Sequence, residues 1–169
     1  MTKLEILTYP NKFLQQPTQP VENIDEDIQK LVADMVETMY EAPGVGLAAI
    51  QVGSDRQVLV FDEKPAENDR HYGVIINPTI LESEGQIIPE NEGCLSVPDF
   101  RSDVKRAARI VVEGVDRDGK PLRLEAEGFM AIVLQHEIDH LNGTLFIDRI
   151  SALKRELYKR RIKKMMREK

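Results

Sequence analysis

Apolar residues in two parts of the chain recur at the three- and four-residue spacing of an amphipathic helix. In residues 24–42 they form one stripe made of Ile28, Leu31, Val32, Met35, Val36 and Met39. Asp25 is the expected N-cap of this helix, and Pro43–Gly44 is expected to end it. In residues 151–169 the predicted helix is amphipathic and basic, with a stripe at Leu153, Leu157 and Met165 beside Tyr158 and Ile162.

A third helical segment, residues 127–143, has apolar residues around most of the helix circumference. This pattern is typical of a helix that is buried on nearly all sides. Asn142–Gly143 predicts where the helix ends, because glycine and asparagine are the residue types that most often adopt the left-handed conformation after a helix.

The remaining regular pattern is that of strands. Five segments are predicted to be extended: 57–62, 71–80, 81–88, 109–116 and 121–127. Asp118–Gly119 predicts a hairpin turn between the last two of them. The order of these elements along the chain predicts an α+β fold: a helix, several strands, a buried helix and a final helix. We expect mixed or antiparallel strands packed around the central buried helix.

Length and composition narrow the class of protein. A chain of 169 residues fits one domain, in which 1–150 form the body and 151–169 an appended helix. Its single cysteine excludes a disulfide scaffold. No apolar run approaches the roughly 20 residues of a membrane span, and the N-terminal segment lacks the apolar core of a signal peptide. We therefore expect a soluble, cytoplasmic protein.

The net charge of −6 is distributed unevenly. Residues 151–169 contain nine basic and two acidic residues, so this segment carries +7 and the other 150 residues carry −13. A body of that charge repels nucleic acid, whereas the C-terminal segment attracts it.

Candidate chemistry lies on the buried helix, where residues 136–140 read HEIDH. His136 and His140, one turn apart, lie on one face and can bind the same metal ion. Glu137 follows the first of them. A buried helix rarely carries four ionisable groups in five positions unless each is paired, and a metal ion would supply that pairing. The alternative interpretation is a set of hydrogen-bonded polar residues in the core.

A catalytic metal site usually has three protein ligands and one open position. No further histidine follows His140, and we find no third-ligand motif downstream of it. Cys94, in the sequence ENEGCLSVP, is the better candidate because its small and polar neighbours make a poor core environment. The alternative is an inert, buried cysteine.

Three blocks of the sequence together resemble the peptide deformylases. Residues 44–51, GVGLAAIQ, look like the family pattern GxGLAAxQ; residues 92–96 are similar to EGCLS; and residues 135–140, QHEIDH, look like QHExDH. The blocks have the order and separation of the family, and the match spans essentially the whole chain. The resemblance is nearest to bacterial-type enzymes with a C-terminal helix, and it makes 1–150 the catalytic domain.

The resemblance implies a hydrolase that removes the formyl group from the N-terminal formyl-methionine of newly made polypeptides and releases formate. It implies that Cys94, His136 and His140 bind one metal ion per chain, usually Fe²⁺, which Ni²⁺, Co²⁺ or Zn²⁺ can replace.

The resemblance also implies roles in catalysis. Glu137 would take a proton from the attacking water and pass one to the leaving amine. The side-chain amide of Gln51 and the backbone N–H of Leu95 would donate hydrogen bonds to the tetrahedral oxyanion.

Further residues are implied to bind the substrate. The peptide would lie beside Gly44, Val45 and Gly46 like an added strand. Arg101 would hold the peptide, and Arg106 would pair with Glu92. The family pattern places the methionine side chain in a pocket lined by Val45, Phe129, Ile132, Val133 and His136.

A purely structural role is the alternative for these substrate-binding segments. The glycines of 44–46 also suit a packing turn, and the apolar residues of the helix also suit an ordinary core. A dinucleotide-binding loop is disfavoured because 44–46 follow a helix and precede a strand, the reverse of that motif.

Two further hypotheses compete with the deformylase. A metallopeptidase that cuts internal peptide bonds is disfavoured by the missing downstream ligand and by EGCLS. A ribosome-binding module without activity is disfavoured by the presence of Glu137 and Gln51. The basic C-terminal helix is expected either to bind ribosomal RNA or the exit region, or to be a solvated face that docks at most on the acidic body.

Overall fold

The computed structural model describes residues 2–168 and shows an α+β fold with antiparallel sheets. This confirms the predicted fold class. The three helices are α1 (Glu26–Glu41), α2 (Gly128–Leu141) and, at the C-terminus, α3 (Ala152–Arg167). Short 3₁₀ turns lie at Lys12–Gln15, Ala49–Val52 and Phe146–Arg149.

Within residues 2–168, seven strands form two antiparallel sheets. In chain order they are β1 (Gly46–Ala48), β2 (Val58–Asp62), β3 (Tyr72–Glu84), β4 (Glu92–Cys94), β5 (Val97–Ser102), β6 (Arg109–Val115) and β7 (Pro121–Glu127). The five-stranded sheet has the order β1-β2-β3-β6-β7, so β1 is an edge strand, and β4 and β5 pair with each other.

The strand predictions hold with three differences, the first being that β1 (Gly46–Ala48) was not among the predicted extended segments. The extended segments 71–80 and 81–88 form the single long strand β3, which ends at Glu84. The pair β4–β5 was not predicted, because glycine, proline and charged residues give it a low β-propensity. The predicted hairpin is present between β6 and β7, and Gly119 has the positive φ that its turn needs.

The first helix begins as predicted, since the side chain of Asp25 accepts a hydrogen bond from the backbone N–H of Ile28. Its apolar stripe packs against β1 and β2. Ten of the fourteen residues of α2 are buried, and α2 contacts β1, β2, β6 and β7. Asn142 is its C-cap, and Gly143 follows with a φ of +77°, at the predicted end.

The packed face of α3 differs from the stripe read off the sequence. Of the described residues of this helix, only Tyr158 is buried, and its ring lies 4.7 Å from that of Phe100. Leu153, Leu157 and Met165 are exposed. The helix therefore contacts the body through Tyr158, with Ile162 beside it, and through a hydrogen bond from Arg161 Nη2 to the Asp99 carbonyl at 2.7 Å. Most of its basic side chains are exposed.

Of the helices that the structure describes, none has both the length and the apolar character needed to cross a membrane. The division into 1–150 and 151–169 stays a prediction, and its outer ends, Met1 and Lys169, lie outside the described residues.

Candidate metal centre

Three potential ligands from two elements converge below the surface. Cys94 is the last residue of β4, while His136 and His140 are one turn apart on α2. The Nε2 atom of His140 lies 3.2 Å from Cys94 Sγ and 3.2 Å from His136 Nε2. Their ligand atoms all lie within 4.8 Å of one another, and among residues 2–168 this is the one such group of His, Cys and acidic side chains.

The spacing of these atoms fits a shared metal ion. Nitrogen and sulfur ligands of a tetrahedral ion lie about 3.3–3.6 Å from each other, given metal–ligand distances of about 2.0–2.3 Å. Burial lowers the pKa of His140 well below its usual range, so this imidazole is neutral, as a metal ligand must be. A metal ion between the two imidazole nitrogens and the sulfur would pair all three of these polar atoms at once.

The tautomer of His136 follows from its partner, Glu92. Burial by itself would raise the pKa of Glu92, but hydrogen bonds from His136 and Arg106 outweigh it and lower the pKa to about 2. An ionised carboxylate only accepts hydrogen bonds, so Nδ1 of His136 donates to Glu92 Oε2 at 2.9 Å. Nε2 of His136, which faces the other two ligands, is therefore the ring nitrogen left to bind a metal ion.

Arg106 holds Glu92 in this position, the pairing that the family resemblance implied. Its Nε donates to Glu92 Oε1 at 3.1 Å and its Nη2 to Oε2 at 2.6 Å, while Nη1 donates to Asp139 Oδ2 at 2.7 Å. The Arg106 side chain is 2% exposed. Removing one partner from such a buried ion pair leaves an uncompensated charge and is strongly destabilising.

Glu137 is buried and in contact with β1. Its Oε1 atom has no hydrogen-bond partner among the described residues. Burial raises the pKa of Glu137 to about 7, where a carboxyl group both accepts and returns a proton near neutral pH. A Cβ atom at Gly46 would lie 2.6 Å from Glu137 Oε2, so glycine is required there by a close approach that the sequence pattern did not reveal.

The amide of Gln51 is held from two sides. Its Oε1 accepts a hydrogen bond from the backbone N–H of Ala48 at 2.9 Å, and its Nε2 donates to Ser96 Oγ at 3.1 Å. These partners orient Nε2 toward Cys94 Sγ, 3.8 Å away. Ser96 had no role in the sequence analysis, although it ends the EGCLS block.

The ligands open into a cavity of about 730 Å³. Of the predicted site residues only His140, which is fully buried, is not on its wall. The residues brought together there are Gly44, Val45, Gly46, Gln51, Cys94, Leu95, Arg101, Phe129, Ile132, Val133, His136 and Glu137. The structure adds Asn91, Asp99 and Phe100 to this wall, none of which carried a motif.

Comparison with known proteins finds one family. A model of the family described as polypeptide deformylase matches residues 3–156. The chain is 53% identical over 168 residues to the peptide deformylase of Desulfosudis oleivorans, with 99% of this chain and 97% of the relative covered.

Two solved structures have a fold similar to that of this chain. A peptide deformylase from Legionella pneumophila superimposes with a TM-score of 0.89 at 43% identity, covering 98% of this chain and 96% of that one. A peptide deformylase from Ehrlichia chaffeensis in complex with actinonin has a TM-score of 0.89 at 40% identity, covering 98% of each chain.

Proposed function

Because the chain belongs to the peptide deformylase family, we propose that Cys94, His136 and His140 hold one divalent metal ion beside Glu137. The enzyme removes the formyl group from N-terminal formyl-methionine of newly made polypeptides and releases formate. The observation that carries the assignment of residues is the convergence of one thiol and two imidazoles within 4.8 Å of one another beside a cavity that Cys94 and His136 line.

The proposed ion is Fe²⁺, and Ni²⁺, Co²⁺ or Zn²⁺ can take its place, since a thiolate with two imidazoles suits each of them. When bound, the ion supplies Lewis-acid chemistry, polarising the formyl group and lowering the pKa of water.

Glu137 moves the proton in the proposed reaction. Its carboxylate takes a proton from the water that attacks the formyl carbon, and it returns that proton to the amine as the carbon–nitrogen bond breaks. A pKa near 7 suits both steps. Water and the formyl amide are thereby converted to formate and a free amine.

Two donors stabilise the negative charge that develops on the formyl oxygen. One is the Gln51 amide, whose Nε2 donates one hydrogen to Ser96 and directs the other toward Cys94 Sγ, 3.8 Å away at the metal centre. The other is the backbone N–H of Leu95, on the same wall of the cavity. Loss of one such donor typically costs about 3–4 kcal/mol of transition-state stabilisation.

The substrate peptide is proposed to pair with β1, the edge strand that Gly44 and Val45 lead into. Its methionine side chain would pack against the apolar face of α2 that lines the cavity, made of Phe129, Ile132 and Val133. Arg101, at the cavity wall and hydrogen-bonded to the Asn91 carbonyl, would hold the peptide backbone.

In metallopeptidases that cleave internal peptide bonds, the sequence pattern places a third metal ligand downstream of the second histidine of HExxH, which is His140 in this chain. Among the described residues, the third ligand atom beside the two histidines is the sulfur of Cys94. This favours the deformylase site over the metallopeptidase alternative.

The proposal includes the arrangement around the site. We regard α2 as the central helix, because most of it is buried and strands of the larger sheet pack against it.

The exposed basic surface of α3 is proposed to dock on the ribosome near the exit of nascent chains, in the cytoplasm. Binding of that kind weakens steeply with salt. Ribosome binding that is insensitive to salt, or that survives replacement of Lys163, Lys164 and Arg167 by glutamate, contradicts the docking.

The decisive experiment measures formate release from a short formyl-methionyl peptide. Protein is prepared without oxygen, loaded with Fe²⁺ or Ni²⁺, and compared with Glu137→Ala. We expect the variant to keep its metal and to lose about 10²–10⁴-fold in kcat. Release of formate at the wild-type rate by the variant contradicts the role of Glu137. A metal-loaded, folded wild type that releases none contradicts the function.

A further inference from the structure

Ion pairs connect the metal centre to Arg149, a residue outside the cavity. Arg149 is the last residue of the 3₁₀ turn Phe146–Arg149, which lies between α2 and α3. Its Nε donates to Asp139 Oδ2 at 2.6 Å, and its Nη2 donates to Oδ1 at 2.7 Å. One planar guanidinium thus binds both oxygens of this carboxylate, the strongest geometry for such a pair.

From Asp139 the hydrogen bonds continue toward the proposed metal centre. Oδ2 of Asp139 also accepts from Arg106 Nη1 at 2.7 Å, and the rest of that guanidinium binds both oxygens of Glu92. Glu92 accepts the Nδ1 hydrogen of His136. The Arg149 side chain is 46% exposed, whereas that of Arg106 is 2% exposed. Arg149 is therefore the outer end of a network whose inner end is a proposed metal ligand.

We propose that Arg149 is a positioning residue for the metal centre and acts through Asp139. Held in place, Asp139 keeps Arg106 paired with Glu92. Glu92 in turn keeps the imidazole of His136 in the orientation that directs Nε2 at the other ligands. This inference rests on the proposed metal site.

Loss of Arg149 affects the network in a definite way. Asp139 is 8% exposed, and its Oδ1 atom would lose the partner that it has in the structure. Among the described residues, Arg106 is the other side chain bonded to this carboxylate. Rotation of Arg106 toward Asp139 would weaken its hold on Glu92, because a buried carboxylate left without a donor is costly.

Charge alone predicts the opposite effect on metal binding. The cluster contains two carboxylates, Glu92 and Asp139, and two guanidinium groups, Arg106 and Arg149. Without Arg149 it is one unit more negative and would attract a cation more strongly. Lysine at 149 keeps the charge but lacks the planar pair of donors. Positioning and charge therefore predict different orders of metal affinity.

The test measures the dissociation constant of Co²⁺ by competition with a chelator, together with the visible absorption of the Co²⁺-loaded protein. The variants are Arg149→Ala and Arg149→Lys. The matched control is Arg160→Ala, an exposed arginine on α3 without a side-chain hydrogen bond among the described residues. We expect Arg149→Ala to weaken Co²⁺ binding about 10-fold, Arg149→Lys to weaken it less, and the control to match the wild type.

A second readout reports on His136 directly. In the Zn²⁺-loaded protein, the proton NMR resonance of its Nδ1–H reports the hydrogen bond to Glu92. We expect this resonance to shift and to exchange faster with water in both Arg149 variants, but not in Arg160→Ala. A change limited to general stability would leave it unmoved.

The inference is overturned if Arg149→Ala binds Co²⁺ as tightly as the wild type or more tightly. If that variant does not fold, Arg149→Lys decides, and a wild-type dissociation constant with an unmoved His136 resonance overturns it. Failure of the metal site itself has a different signature: the wild type binds no Co²⁺, or Cys94→Ser binds it equally well.

Discussion

Replacement of Gly46 by alanine perturbs the closest contact in the proposed site. Gly46 has no positive φ, so alanine introduces no backbone strain there. The new Cβ would lie 2.6 Å from Glu137 Oε2, 2.9 Å from Glu137 Cγ and 3.0 Å from Val133 Cγ1. The whole effect of the substitution is therefore steric and is directed at the carboxylate that moves the proton.

The structure gives the size of the displacement. Ordinary van der Waals contact begins at 3.4 Å, so the Glu137 carboxylate must retreat by about 0.8 Å. Misplacement of a catalytic group by about 1 Å can cost about 10²-fold in rate, and overpacking of a well-packed site costs about 1–3 kcal/mol of stability. We expect Gly46→Ala to lose about 10²-fold in kcat and to keep its metal, because the three atoms nearest to the added methyl group belong to Glu137 and Val133 and not to a proposed ligand.

The assay is kcat and KM for formate release by the metal-loaded variant, with the metal content and the urea unfolding free energy measured on the same samples. Gly119→Ala is the control. Gly119 has a φ of +82° in the β6–β7 turn and is not among the residues that line the cavity, so alanine there is expected to cost about 1–2 kcal/mol of stability without changing kcat. A folded Gly46→Ala enzyme with wild-type kcat would refute the assignment of Glu137 against β1.

Three more outcomes are expected. Cys94→Ser should weaken Co²⁺ binding by more than the roughly 10–100-fold that loss of an outer-shell partner costs, and chelator competition showing a smaller change would argue against a thiolate ligand. Ser96→Ala should lower kcat about 5-fold, because Gln51 loses one hydrogen bond worth about 1 kcal/mol; steady-state kinetics with kcat unchanged would contradict this. Burial raises the pKa of Tyr158 to about 12, so the folded state keeps this proton to higher pH than the unfolded chain does, and the free energy of unfolding should fall as pH rises from 10 toward 12. Urea unfolding of Tyr158→Phe should lack that component of the pH dependence, and an identical loss in both proteins would show that Tyr158 is not its source.

Local signals sufficed for the helices and for the hairpin. The N-cap of α1 at Asp25 and the turn at Asp118–Gly119 each depend on a few adjacent residues, and both are present in the structure. The stripe of α3 was misjudged because spacing shows which residues share a helix face but not which face meets the body. Tyr158, beside the stripe, makes that contact.

Some residues of the candidate site were predicted from the sequence, and others were missed. HEIDH places two imidazoles on one helix face by spacing alone, and Cys94 entered as a third ligand from the chemistry of the pair and from the family resemblance. The roles of Ser96 and Arg149 were missed: Ser96 ends the EGCLS block but was assigned no role, and Arg149 lies in no motif. Their roles depend on contacts with Gln51 and Asp139, which are 45 and 10 residues away along the chain.

The sequence by itself determined the fold class, the ends of the helices and the kinds of chemical group available, because these depend on periodicity, capping residues and side-chain chemistry over short stretches. Only the tertiary structure decided that Cys94 Sγ lies 3.2 Å from an imidazole 46 residues away, and that Gly46 leaves room for Glu137. Such distances are set by the pairing of β4 with β5 and by the packing of α2 against β1. Both result from burial of apolar surface and ion pairs over the whole domain, which no local pattern encodes.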